Sequence, residues 1–188
     1  VYMDVSGATF TNCHSVNEGG ALFHNNNTNQ TTAYLTVRNS VFTNCYATGN
    51  NRYSYGGAVC NKSSTLTVDS CRFEGCYAQS NGGAINHGAE NPDRVKTTIT
   101  NSTFDSSRTT GTDGGYGFGG SVFTQAKSVE ITDCEFTGST AYNHGGALYC
   151  QSSANSLQTT ISGTTFDNCS VTRSGGYGGA IYSLGKAL

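Results

Sequence analysis

The sequence has little charge, one proline and no tryptophan. Only 12% of its 188 residues are charged, and the formal net charge is −2. Such a balance offers no basic surface for nucleic acid, so no nucleic-acid partner is expected. No apolar run approaches the roughly 18 residues of a membrane-spanning helix, and direct membrane insertion is not expected either. Ala, Leu, Glu and Lys are scarce, which argues against a helical protein.

The sequence is instead rich in residues that favour strands and turns. The chain has 25 Gly and abundant Ser, Thr and Asn, together with nine Phe and eleven Tyr. Gly and Asn favour turns, whereas Val, Thr, Tyr and Phe favour strands. The regular placement of the aromatic residues argues against disorder. The composition therefore predicts an all-β protein.

A repeat of about 30 residues runs through the whole chain. Phe recurs at intervals of 30 to 32 residues, at Phe10, Phe42, Phe73, Phe104, Phe136 and Phe166. Five residues before each Phe stands an aliphatic β-branched residue: Val5, Val37, Val68, Ile99, Ile131 and Ile161. After each Phe comes a Gly-Gly pair followed by Ala or Ser and an aliphatic residue, with the pairs beginning at Gly19, Gly56, Gly82, Gly119, Gly145 and Gly178.

This repeat predicts a right-handed parallel β-helix of about six coils. Each repeat suggests three short strands, with a tight turn at Gly7, Asn39, Ser70, Asn101, Asp133 and Gly163. A unit of this size cannot bury its own apolar face, so the copies are expected to stack about 4.8 Å apart, with the usual right-handed crossover. Residues 1–188 then form one β-helix segment. No polar cap is visible at either end, which predicts a piece of a longer solenoid or end-to-end assembly.

A second period of about 63 residues is superimposed on the first. The spacing from Phe to Gly-Gly alternates between short and long, so the unit is a pair of coils. Long loops at 46–55, 108–118 and 170–177 are therefore expected to protrude from one corner on every second coil.

The two motifs together resemble a known family. The alternation of Gly-Gly-Ala-Ile with a Phe-x-x-Asn motif looks like the repeats of the polymorphic outer membrane proteins of chlamydiae and of other β-helical surface adhesins. The Gly-Gly half matches in all six copies, whereas the Asn of the Phe half is replaced by Cys or Ser, as at Cys13 and Ser107. The resemblance implies a secreted or cell-surface setting and carries over no catalytic residue.

The cysteines allow two interpretations. Cys13, Cys45 and Cys76 fall in neighbouring coils, at a spacing that permits one disulfide bond, while small buried thiols explain the same pattern. A metal site is not expected, because there is no Cys-x-x-Cys pair and the four histidines fall in different columns and coils. No cofactor is predicted.

Aromatic residues in the long loops are the candidate binding residues. They stand directly before Gly-Gly: Tyr53, Tyr55, Tyr116, Phe118 and Tyr177. Exposed tyrosines offer rigid contact area for glycans or for host or matrix proteins. Alternatively, these rings fold back over the Gly-Gly surface and fix the loops.

An enzyme is the main alternative. A polysaccharide lyase or hydrolase needs clustered acidic or basic groups, and Arg38 beside Asp69 is the only adjacent opposite pair predicted on the outer strand face. An ice-binding face is less consistent with the sequence, since only Thr98-Ile99-Thr100 has the Thr-x-Thr form.

The sequence therefore favours a non-enzymatic extracellular rod that acts as a stalk, passenger or filament segment and displays loops for surface contact. The expected partners are neighbouring coils of a longer chain or further copies, and glycans or matrix proteins. A β-helical carbohydrate-active enzyme or glycan-binding module is the alternative function. Five sequons permit glycosylation, at Asn26, Asn29, Asn61, Asn101 and Asn168.

Overall fold

The computed structural model describes residues 1–26, 33–49, 53–88, 95–111, 116–152 and 157–185. Within them the chain forms short strands and no helix. The first twelve strands are β1 (Tyr2–Ser6), β2 (Thr9–Thr11), β3 (His14–Ser15), β4 (Leu22–Asn25), β5 (Tyr34–Arg38), β6 (Val41–Thr43), β7 (Tyr46–Ala47), β8 (Val59–Lys62), β9 (Thr65–Asp69), β10 (Arg72–Glu74), β11 (Tyr77–Ala78) and β12 (Ile85–His87). The others are β13 (Lys96–Thr100), β14 (Thr103–Asp105), β15 (Arg108–Thr109), β16 (Val122–Thr124), β17 (Ser128–Thr132), β18 (Glu135–Thr137), β19 (Thr140–Ala141), β20 (Leu148–Ser152), β21 (Gln158–Ser162), β22 (Thr165–Asp167), β23 (Ser170–Val171) and β24 (Ile181–Gly185).

Every fourth strand pairs in parallel, which makes the protein a parallel β-solenoid of about five turns with equivalent residues about 31 positions apart. Four sheets of six strands result. Sheet A contains β1, β5, β9, β13, β17 and β21, and sheet B contains β2, β6, β10, β14, β18 and β22. Sheet C contains β3, β7, β11, β15, β19 and β23, and sheet D contains β4, β8, β12, β16, β20 and β24. We call one circuit through the four sheets a layer.

The predicted three strands per repeat are wrong in number, because each layer has four. The additional strands form sheet C and are two residues long, as in Tyr46–Ala47. A two-residue strand is too short to show an alternating pattern of apolar and polar residues in the sequence. The left-handed residue at Asn44, with φ of 52°, separates this strand from β6 and creates the additional corner.

The phenylalanine column confirms the predicted stacking. The rings of Phe42 and Phe73 lie 4.7 Å apart with planes 3° from parallel, and those of Phe73 and Phe104 lie 4.8 Å apart. All three side chains are buried in one core. Val37 and Val68 are in register on sheet A and extend the same core. Like residues therefore stack on like along the solenoid.

The predicted tight turns between sheets A and B are also confirmed. The residue at that corner has a left-handed backbone in every layer, with φ between 47° and 65°, at Gly7, Asn39, Ser70, Asn101, Asp133 and Gly163. Gly, Asn, Asp and Ser have short side chains, which tolerate this conformation better than bulky or β-branched residues do. These corners fix where each strand of sheet A ends and where the following strand of sheet B begins.

Candidate binding face

The residue that precedes Gly-Gly stacks in a column at the corner between sheets C and D. Its members, which we call the corner column, are Glu18, Tyr55, Asn81, Phe118, His144 and Tyr177. The backbone bridges Glu18 to Tyr55, and it bridges His144 to both Phe118 and Tyr177. The following glycine has a left-handed backbone in each layer, for example φ of 63° at Gly119. This bend places the preceding side chain on the outside of the corner.

A second column lies beside the corner column, on the outward face of sheet D. Register places Phe23, Cys60, Asn86, Phe123, Tyr149 and Tyr182 above one another. The two columns make ring contacts with each other, since Phe118 lies 4.8 Å from Tyr149 and His144 lies 4.9 Å from Tyr182. We call the resulting cluster the aromatic ladder; it consists of Phe118, Phe123, His144, Tyr149, Tyr177 and Tyr182.

Rings of the aromatic ladder use their faces to pack on one another. Contacting ring planes differ by only 14° to 32°. Phe123 and Tyr149 are buried, whereas Tyr177 at one end of the ladder is 63% exposed. Inner rings therefore turn their edges, and not their faces, towards solvent. The ladder stabilises the corner more than it offers a stacking surface.

The hydroxyl groups of the buried tyrosines stay protonated near neutral pH. Burial, and then the neighbouring Tyr182, raises the pKa of Tyr149 to about 12. Burial, and then the neighbouring Tyr116, raises the pKa of Tyr55 to about 12. Burial, followed by the charge of Arg173, lowers the pKa of His144. Tyr149 and His144 of the ladder are therefore uncharged at neutral pH.

Two tyrosines stand apart from the ladder, and we call them the flanking tyrosines, Tyr53 and Tyr116. The ring of Tyr53 meets that of Tyr55 at 79°, and the ring of Tyr116 meets that of Phe118 at 81°. Tyr53 is 62% exposed and Tyr116 is 37% exposed. The same edge-to-face arrangement thus recurs two layers apart, with an accessible ring each time.

The five predicted binding residues therefore divide into two groups. Tyr53, Tyr116 and Tyr177 are exposed, whereas Tyr55 and Phe118 are half-buried against their neighbours. Sequence reasoning missed Phe123, His144, Tyr149 and Tyr182. A signal for them exists, because aligning the copies on Gly-Gly places an aromatic residue four positions after the first glycine at Phe23, Phe123, Tyr149 and Tyr182.

The predicted cysteine column is present, with free thiols. The amide N–H of Tyr46 donates to the carbonyl of Cys13 at 2.9 Å, and that of Tyr77 donates to the carbonyl of Cys45 at 3.0 Å, so the three cysteines occupy successive layers. A hydrogen bond from the Cys76 thiol lowers the pKa of Cys45 against the opposing effect of burial. The same contact, together with burial, raises the pKa of Cys76. The disulfide bond stays a prediction.

The thiols also have a structural role. Cys45 Sγ donates to the carbonyl oxygen of Phe10 at 3.5 Å, and Cys76 Sγ donates to that of Phe42 at 3.6 Å. Each thiol thereby links its own layer to the preceding one. Buried cysteine thus behaves as a small core residue with a weak donor, as the second interpretation expected.

One of the five sequons lies in the core. Asn61 is fully buried, its Oδ1 accepts a hydrogen bond from Ser63 Oγ at 2.8 Å, and its Nδ2 donates to the carbonyl of Thr65. A glycan has no room there in the folded chain. Asn101 and Asn168 are exposed at left-handed corners. Asn26 is half-buried, and Asn29 lies outside the described residues.

Register on sheet A places Arg38 beside Asp69, as predicted, but Arg38 forms its ion pair elsewhere. Arg38 forms its ion pair with Asp4 at 3.7 Å, on the other neighbouring strand. The carboxylate of Asp69 accepts hydrogen bonds from Asn101 Nδ2 at 2.9 Å and from Thr100 Oγ1 at 2.7 Å. Those bonds, chiefly the one from Asn101, lower the pKa of Asp69, and the charge of Arg38 contributes least.

Charged groups come together at a shallow groove on the outer face of sheet B. Arg72, Asp105 and Glu135 line it. Neighbours engage each of these groups, since Arg72 pairs with Glu74 at 2.9 Å, Ser106 donates to Asp105 and Thr137 donates to Glu135. The groove is open to solvent and built on regular strands, so its geometry is that of an ordinary sheet face.

Two histidines share a column, contrary to the sequence prediction. Register on sheet D places Asn61 between His24 and His87, with all three side chains buried. His87 Nε2 donates to the carbonyl of Ser63 at 3.0 Å, and its Nδ1 accepts from Thr97 Oγ1 at 2.8 Å. Burial lowers the pKa of His87 to about 4. In the described part of the chain, no group of three His, Cys, Asp or Glu residues has the geometry to hold a metal ion.

Comparison with family models, with curated proteins and with solved structures finds no significant match to this chain. Over the ranges that the structure describes, no helix is long and apolar enough to cross a membrane.

Proposed function

We propose that the chain is a non-enzymatic structural and adhesive segment of a secreted or cell-surface protein. In this proposal the solenoid is a right-handed β-helix of six coils with a two-coil unit of about 63 residues, and its loops make the contacts. The observation that carries the proposal is the unbroken in-register stacking of all four sheets. A rod of equal layers spaces its surface groups at fixed intervals, which suits spacing and contact.

The surface charges support this proposal. Each ion pair found in the described chain joins side chains on the outside of the solenoid, as in Lys62 with Glu18 and Lys96 with Glu130. The charged groups of the groove on sheet B are likewise bound to neighbours. No feature in the described part of the chain interrupts the repeat as a built catalytic site would.

The setting and the partners belong to the same proposal. An extracellular surface location follows from the resemblance to polymorphic outer membrane protein repeats and β-helical adhesins. The partners are then further coils of a longer chain or further copies of this one, together with glycans or matrix proteins at the loops. The flanking tyrosines supply aromatic contact area for such partners.

A carbohydrate-active enzyme is the second candidate, and the groove on sheet B is the observation that favours it. Asp105 and Glu135 stand on adjacent strands and are offset by two residues along them. Paired carboxylates of this kind hydrolyse glycosidic bonds when one donates a proton and the other activates water or attacks the sugar. Release of reducing ends from a polysaccharide panel, lost in Asp105→Asn and Glu135→Gln, would support the enzyme and refute the structural proposal.

The adhesive function is tested with beads that carry the chain. Coated beads are expected to attach under flow to surfaces bearing cell-surface glycans or extracellular matrix, while beads coated with the same chain after heat unfolding are washed away. The proposal is contradicted if native and unfolded beads are retained equally, or if neither type is retained. The supernatant is assayed for polysaccharide cleavage in the same experiment.

A further inference from the structure

The flanking tyrosines Tyr53 and Tyr116 form a pair whose spacing is set by the fold. Tyr55 follows Tyr53 by two residues and Phe118 follows Tyr116 by two, and both second residues belong to the corner column. The Gly56 amide donates to Asn81 O, and the Gly82 amide donates to Phe118 O, so one layer lies between the two tyrosines. Two layers correspond to about 9.6 Å along the solenoid.

The orientation of these rings differs from that of the aromatic ladder. Ladder rings stack between successive layers, as Phe118 does with His144 at 17°, so the normals of those rings run close to the solenoid axis. Tyr116 meets Phe118 at 81°. The plane of the Tyr116 ring is therefore nearly parallel to the axis, and the Tyr53 ring stands at a similar angle, 79°, to Tyr55, the corner residue of its own layer. Flat faces aligned with a rod are accessible in a way that the stacked ladder rings are not.

The two segments that carry the flanking tyrosines are uncharged, and Glu18, which lies beside Tyr55 in the preceding layer, is paired with Lys62. Segments 53–57 and 116–120 contain only Tyr, Phe, Ser and Gly. The Tyr55 hydroxyl between them stays protonated at neutral pH, because burial raises its pKa to about 12. Such a surface matches a neutral partner better than a strongly acidic or basic one.

We propose that Tyr53 and Tyr116 form a two-ring platform that binds an extended, neutral β-1,4-linked polysaccharide lying along the solenoid. The apolar C–H face of a hexose stacks on a flat aromatic ring. In an extended β-1,4-linked chain, sugars two residues apart present the same face at a spacing close to two layers of this solenoid. The two tyrosines then contact two sugars that are two residues apart, and the sugar between those lies over the layer of Asn81.

This inference rests on the proposed contact function and names its ligand class. It also predicts length dependence, since a disaccharide cannot reach both rings, whereas a hexasaccharide can. Glucans with α-1,4 or β-1,3 linkages coil. Their sugars therefore do not present the same face every two layers along a straight line. Linkage, rather than sugar identity alone, is therefore the expected basis of selectivity.

Isothermal titration calorimetry with the full chain tests the proposal. Cellohexaose and chitohexaose are expected to bind, with maltohexaose, laminarihexaose and cellobiose much weaker. Tyr53→Leu and Tyr116→Leu keep apolar bulk but remove the flat ring, and each is expected to weaken cellohexaose binding about tenfold. Tyr34→Leu is the matched control, because Tyr34 is as exposed as Tyr116 but lies on sheet A, where its ring stacks on Tyr2; it is expected to leave binding unchanged.

Three results would overturn the inference: no binding of either β-1,4-linked hexasaccharide, equal binding of maltohexaose, or binding that both leucine variants retain. Circular dichroism of each variant confirms that the fold is intact, and Tyr53→Phe, which keeps the ring, must retain affinity. The outcome is separable from that of the proposed function. If beads that carry Tyr53→Leu or Tyr116→Leu adhere as well as beads that carry the native chain, adhesion is supported and the platform is rejected. If the native chain binds cellohexaose but its beads do not adhere, the platform is supported and adhesion is rejected.

Discussion

Gly83 lies directly against the carbonyl oxygen of Gly120 in the next layer. A β-carbon built on Gly83 would overlap that oxygen and would also meet the backbone nitrogen of Arg108 at 2.6 Å. Both neighbours are backbone atoms that hold adjacent strands in register, so neither can move aside. The second glycine of the Gly-Gly motif is therefore required by the close approach of layers.

Substitution of this glycine tests that requirement. Gly83→Ala is expected to lower the free energy of unfolding by at least about 2 kcal/mol, because the overlap forces layers apart. Gly179→Ala is the matched control: Gly179 holds the same place in its motif, but the nearest atom to its β-carbon is Cys169 O at 3.8 Å. Urea unfolding followed by circular dichroism measures both. Equal stability of the two variants would contradict the packing described at Gly83.

Acid should destabilise the fold through His87. Its pKa is lowered from 6.5 to about 4 by burial, so in this range the unfolded chain takes up a proton that the folded chain does not. Stability is therefore expected to be highest above pH 6.5 and to fall by about 3 kcal/mol as the pH decreases to 4. The measurement is urea unfolding at pH 7 and pH 4.5 for the native chain and His87→Gln. A pH dependence of the same size in the variant would show that other groups cause it.

Oxidation should produce one disulfide bond that includes Cys45. Cys45 is the middle member of the column, in contact with Cys13 and Cys76. With oxidised glutathione as the acceptor of two electrons and two protons, Cys45 is expected to pair with one neighbour and leave the other reduced. Cys60 and Cys150 should stay reduced, because burial raises the pKa of each to about 12. Peptide mass spectrometry with Cys45→Ser as control distinguishes these outcomes; a disulfide bond that persists in Cys45→Ser contradicts the prediction.

Glycosylation should pass over Asn61. Expression in a host that glycosylates secreted proteins is expected to leave Asn61 unmodified in the folded product, because its side chain is buried and hydrogen-bonded to Ser63 and Thr65. Asn101 is the comparison site, since it is exposed. Glycopeptide mapping of soluble, folded protein reads both positions. A glycan on Asn61 in folded protein would show that this corner of the core is arranged differently.

Sequence reasoning predicted the features that repeat in every layer. Phe73 and Val68 recur at a constant distance, and a constant distance is what a stacked column produces. The left-handed corner at Asn39 was predictable for the same reason, because each copy carries a residue that tolerates it.

The site was harder to predict, because variable loops separate its parts. Between Phe and Gly-Gly the spacing changes from layer to layer, so residues counted from Phe do not show the columns of sheet D. Counting from Gly-Gly instead places Tyr149 beside Phe123 and His24 in the column of His87. The orientation of an aromatic ring cannot be obtained by counting residues in the sequence. The perpendicular setting of Tyr116 against Phe118 depends on packing in three dimensions.

Distances along one column of sheet A test the central claim, which is that equivalent residues stack layer upon layer. Register places Asp4, Glu130 and Thr160 in one outward column, with Glu130 four layer spacings from Asp4 and Thr160 five. Spin labels attached through non-canonical amino acids, which avoid the native thiols, allow double electron–electron resonance. The expected separations are about 19 Å for positions 4 and 130 and about 24 Å for positions 4 and 160. A distance from 4 to 160 that is equal to or shorter than that from 4 to 130 would contradict the stacked solenoid.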